Sequence, residues 1–94
     1  MSYQLIDPEE ALDYAFNWSA FLAAVGSPVD SILNSSWHVA PAGPELSNPV
    51  SEGAVTSTFI SGATLGQVYV LTNRVVTAAG RTAEKSVTLA CENS

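Results

Sequence analysis

Residues able to act as nucleophile, base or metal ligand are few in this chain: one histidine, His38, one cysteine, Cys91, and nine scattered carboxylates. A Ser/His/Asp relay would have to be built on His38 alone, and no G-x-S-x-G elbow presents a serine to it. His38 follows Trp37 in a strand-like run, where an imidazole is ordinarily a packed or half-exposed side chain. Catalysis by paired carboxylates needs two acids held together in a cleft with pKa values pushed apart. Glu9 and Glu10 are adjacent near a helix-start signal, Asp13 alternates with apolar neighbours, and the remaining acids fall in loops. They read as solvated charges and helix-start acids.

The single thiol can close no internal disulfide and supplies no multi-thiolate zinc cluster. Alternation turns Cys91 inward with Val87 and Leu89, where a thiol behaves as a small hydrophobe. "GATLG" lacks the Lys-Ser/Thr of a phosphate loop and precedes a strand-like run instead of a helix. Asn17-Trp18-Ser19 and Asn34-Ser35-Ser36 match the glycosylation pattern, but the N-terminal residues do not read as a secretory leader, so both are expected to be chance matches. The expectation is a non-enzymatic protein with no cofactor and no metal.

With 94 residues the chain has the size of one domain, 1–94, able to bury one modest core. Its apolar fraction is 47% against 13% charged, too hydrophobic for a disordered segment, yet no apolar run reaches the ~18 residues of a membrane span. Net charge is −6, from three cations (Arg74, Arg81, Lys85) against nine acids, a surface that repels nucleic-acid phosphates. Neither nucleic acid nor a membrane is an expected partner, and synthesis in the cytoplasm is the default.

These side chains must be positioned mainly by strands. "DPEEALDY" opens with a helix-start pattern, Asp7 then Pro8 then Glu10. Beyond it, however, Leu12, Tyr14, Phe16 and Trp18 are apolar at every second position, which on a helix would scatter them to opposite sides. The pattern predicts one turn over Pro8 to Ala11, a strand from Leu12 to Trp18, and a short helix from Ser19 to Val25 ended by Gly26. Asp30 to Val39 is strand-like, but Ile32 falls out of phase with Trp37 and Val39, which either a bulge around Asn34 to Ser36 or the exposure of one of them would reconcile. Ala40 to Gly53, with Pro41, Pro44 and Pro49, reads as a long loop with at most a short edge strand. A further strand carries Phe59 or Ile60 inward. The chain then closes with a hairpin in which Tyr69, Leu71, Asn73, Val75 and Thr77 share one face and Gly80 makes the turn.

Five or six strands with turn signals every 8–12 residues predict a mainly β fold, a small Ig-like or fibronectin-like β-sandwich with one short helix near the N-terminus. Tyr69, shortly after Gly66, sits where such domains place a tyrosine corner. Asn73, an amide on the inward face, must find hydrogen-bond partners, as a structural bond within the fold or as a contact at an interface. For contact with other molecules, Trp37 is the aromatic best placed to reach out, Arg74 and Arg81 are the guanidinium groups of an acidic chain, and Pro44 and Leu46 lie in the proline-rich loop. That loop, the arm Met1 to Ile6 and the turn Ala78 to Thr82 are the candidate contact segments.

Several motifs occur in order: "DP" at Asp7-Pro8, "LDY..NWS" from Leu12, "DSI" before "SSW" from Asp30, "F.SG" from Phe59, and "G..Y.LTNRVVT..GRT" from Gly66. Together they resemble the small virion proteins of tailed bacteriophages known as fiber-tail adaptors. Asn17 replaces an Asp common in that family, and Ala63 a frequent second Gly. The resemblance implies an Ig-like structural protein of the virion that acts as a tail/fibre or head-tail adaptor through contacts with other virion proteins, as a homo-oligomer in the particle. It brings no catalytic group. The alternatives it leaves open are a capsid decoration protein and a generic Ig-like binding module outside a virion.

Overall fold

The computed structural model describes residues 3–7 and 9–92. Seven strands and one helix follow in the order β1 (Tyr3–Ile6), β2 (Leu12–Asn17), α1 (Ser19–Ala23), β3 (Ile32–Ala40), β4 (Glu45–Glu52), β5 (Val55–Ser61), β6 (Val68–Thr77) and β7 (Thr82–Cys91). They form two sheets, β1-β7-β6-β3 and β2-β5-β4, in which only β1 against β7 is parallel. In immunoglobulin terms β2, β5 and β4 take the B, E and D places, and β7, β6 and β3 the G, F and C places; the first strand joins the G side. The fold is the expected small β-sandwich.

The hairpin β6–β7 is the frame. Tyr69, Leu71, Asn73, Val75 and Thr77 are all buried on one face of β6, while Val68, Val70 and Arg74 between them are exposed, the alternation that a pleated strand imposes. Gly80 turns the chain at φ 85°, and its N–H donates to the Thr77 carbonyl at 2.9 Å. The Tyr69 hydroxyl accepts a hydrogen bond from the Thr64 N–H at 3.0 Å, so the corner ties the β5–β6 loop to the sheet. Leu71, two residues on, takes the place of the second cysteine of antibody-type domains and is fully buried.

The main core joins Ile6, Ile60, Tyr69, Leu71, Val87, Leu89 and Cys91, flanked by Leu12, Tyr14, Phe16, Trp37, Val39 and Leu46; a smaller cluster gathers Trp18, Leu22 and Val75. Asn73 sits on β6 between Leu71 and Val75, where the two clusters meet. Its Oδ1 accepts from the Trp18 indole N–H at 3.0 Å and from the Thr56 hydroxyl, while Nδ2 donates to the Ser35 hydroxyl and the Ser36 carbonyl at 2.9 Å each. Every donor and acceptor of the amide is used, so its burial is compensated.

Several expectations are revised. The aromatic alternation does make β2 a strand, and the helix runs from Ser19 to Ala23, with the Asn17 Oδ1 accepting from the Ser19 N–H at 2.9 Å. Register in β3 shifts between Ile32 and Asn34, just ahead of the expected bulge. Of the pair Phe59 and Ile60, Ile60 is the buried one. The 40–53 segment, expected as a long loop, contains the eight-residue strand β4. Proline is tolerated there because β4 ends its sheet and because its register breaks between Ser47 and Val50, beside Asn48 at φ 49°. The N-terminal segment is no free arm: Tyr3–Ile6 pairs with β7. Met1, Ser2 and Pro8 lie outside the described residues. Near Pro8, the Asp7 carbonyl accepts from the Glu10 N–H at 3.1 Å, a single turn that does not continue as a helix.

Candidate assembly surface

Groups with chemical potential do not converge. His38 is exposed on β3 and shares an open depression of about 330 Å³ with Ser36, Trp37, Thr72, Arg74 and one carboxylate, Glu84. Cys91 is buried; desolvation, and after it the charge of Asp7, raises its thiol above the usual range and keeps it protonated. Among the described residues no cluster of His, Cys, Asp or Glu could hold a metal ion, and no helix is long and apolar enough to cross a membrane.

Each candidate contact residue has a definite place. Trp37 is half-buried and stacks on Phe16 across the sandwich, with ring centroids 5.6 Å apart and planes 12° from parallel. Its indole Nε1 is buried without a hydrogen-bond partner among the described residues. Leu46 is half-buried against the main core, and Pro44 is buried. Trp37 and Leu46 share a cleft of about 190 Å³ with Ser35, Ser36, Pro49 and Thr58, between the free edges of β3 and β4. Arg74 lies on the outer face of its sheet, 3.8 Å from Glu84, with both side chains more than half exposed, a pair worth about 0–1 kcal/mol.

Arg81 has a different role from the one its turn position suggests. Asp30 Oδ2 accepts from Arg81 Nε at 3.1 Å and Nη2 at 3.0 Å, and Nη2 also donates to the Phe21 carbonyl at 2.7 Å. The guanidinium lies 3.9 Å over the Phe21 ring. Asp30 Oδ1 accepts from the N–H groups of Ser31 and Ala79 at 2.9 Å each. One carboxylate therefore latches the α1–β3 connection to the β6–β7 turn, and the Arg81 side chain is spent inside the fold. No local signal could have shown this, because 51 residues separate the partners.

The latch gives a pH prediction. Burial alone would raise the Asp30 pKa, but hydrogen bonds from Thr77, the Ala79 and Ser31 N–H groups and Arg81 outweigh it and hold the carboxyl down at about 2. A depressed carboxyl stabilises the fold above its unfolded pKa of about 4, and that contribution is lost as pH falls from about 4 through about 2. In denaturant melts, wild type is expected to exceed Asp30→Asn in stability at neutral pH, with the difference shrinking across that acid window. A difference unchanged from pH 7 down to about 2 would overturn the assignment.

A protein-family model described as Podophage GP4 fiber-tail adaptor protein gp77 matches residues 7–90. The chain belongs to this family. It is the family that the ordered motifs from Asp7 to Thr82 resemble. The matched stretch takes in β2 to β6 and all but the last residue of β7, and with them both the Asp30–Arg81 latch and the β3–β4 cleft; β1 lies outside it. A search of curated proteins finds no match to this chain. Membership identifies a structural phage part of the tail, and a sandwich that holds its groups apart is consistent with such a part.

Proposed function

We propose that this chain is a non-enzymatic joint between the tail and the fibres of a podophage particle, made in the host cytoplasm and working by protein–protein contact. The observation that carries this is the family match over residues 7–90. Physical support comes from the sandwich itself. The Asn73 amide and its polar neighbours in the core are consumed in internal bonds, and what faces outward is strand edges, loops and a net negative surface of −6 that suits protein partners better than nucleic acid. Several copies are expected around the tail axis, since a tail carries its fibres in a symmetric ring.

Particles purified from a phage lacking this gene are expected to keep filled heads and tails but to lose their fibres and fail to adsorb. Fibres present in normal number on such particles, or density for this chain on the capsid shell, would replace the adaptor reading with that of a decoration protein.

A further inference from the structure

We propose that the free edge of β3 is the docking strand, and that it pairs through its backbone with an extended, uncharged segment of a tail or fibre protein flanked by lysine or arginine. This rests on the tail–fibre reading above.

Two sheets present four outer strands, β1, β3, β2 and β4, and an open edge is a row of unpaired N–H and C=O groups that other chains can extend. Three of the four are blunted. β1 has four residues among those described. β2 has six and carries the exposed Asp13. β4 contains Pro49, the positive-φ Asn48 and a register break. β3 has nine residues with neither a proline nor a charged side chain, and from Asn34 to Ala40 it runs in unbroken register with β6. It is the edge left suitable for β-augmentation.

The surroundings specify what docks. The cleft beside Trp37 and Leu46 is continuous, through Ser35 and Pro49, with a second of about 200 Å³ that Leu33 and Val50 line. Leu33 is 70% exposed and Val50 49%, apolar surface that a partner's side chains would cover.

Charge selects between occupants. Arg81 is held by Asp30, Lys85 donates to the Asn17 carbonyl and lies over Trp18, and Arg74 faces Glu84. Glu45 and Glu52, at the two ends of β4, have no ion-pair partner among the described residues. A second copy, also at −6, brings no complementary charge to this edge, whereas a segment with basic flanks would be attracted.

Amide hydrogen exchange of the isolated chain, compared with the same chain in purified particles, tests this. Peptides covering 33–40 are expected to slow at least ~10-fold in the particle at about half of their amides, since alternate N–H groups point to the free edge. Leu33→Lys, at an exposed position, is expected to melt like wild type yet to enter gene-deleted particles about tenfold less when supplied in trans. Unchanged exchange at 33–40 with new protection elsewhere, or full incorporation of Leu33→Lys, overturns the edge pairing and leaves the tail–fibre reading standing. Absence of the chain from particles removes that reading and this one with it. Protection of 33–40 through self-association in solution overturns the choice of partner.

Discussion

Tyr69→Ala is expected to cost about 3–5 kcal/mol of folding stability, a large part of the ~5–15 kcal/mol that a domain of this size holds. Two losses add. The ring is 2% exposed and packs in the main core beside Leu71 and Leu89, so truncation leaves a cavity where two sheets meet. The hydroxyl is the acceptor for the part-buried Thr64 N–H, so the loop between β5 and β6 also loses its tie to the sheet. Tyr69→Phe separates the two terms: it keeps the ring and removes only the hydrogen bond, for about 0.5–1.5 kcal/mol. Urea melts of the three chains provide the check. A Tyr69→Ala midpoint equal to that of wild type would show that the corner does not hold the loop.

Asn73→Leu is expected to cost about 2–4 kcal/mol although leucine keeps the branched shape of the side chain and is the more hydrophobic residue. The Ser36 carbonyl and the Ser35 hydroxyl lose their donor, and Trp18 and Thr56 lose the oxygen on which both converge. Trp18 keeps one alternative, the Thr56 hydroxyl at 3.1 Å, which limits the damage. A double-mutant cycle with Thr56→Val is expected to show coupling of about 1 kcal/mol or more, since both residues serve one network. Additive effects in that cycle would mean that the amide acts alone. Stability equal to or above wild type in Asn73→Leu would mean that the network gives no net stabilisation.

Legibility in the sequence followed the range of the interaction. The β6–β7 hairpin was readable because alternation along Val68–Thr77 and the glycine turn are local, and the Tyr69 corner because its partner is only five residues away. β2 was readable for the same reason, its aromatic side chains recurring every second residue. β4 was not, because Pro49 is a strand breaker in a central position and acceptable at an edge, and only assembled sheets have edges. Arg81 was read from its turn as a group for outside contact, while the acid that claims it lies in the α1–β3 connection, 51 residues away.

The same division applies to the surface. Composition and the absence of a relay, a phosphate loop or a ligand cluster already pointed away from catalysis and toward contact. Which strand lies open depends on the order β1-β7-β6-β3 and β2-β5-β4, and on the cleft that β3 and β4 enclose around Trp37. Side-chain periodicity and turn residues are properties of neighbours in the chain, so residue order alone was enough for the β class, the hairpin and the inward face of β6. Pairing between Asp30 and Arg81, the parallel addition of β1 and the free edge of β3 join residues far apart in the chain, and only closure of the two layers brings such groups within bonding distance or leaves them without a neighbour.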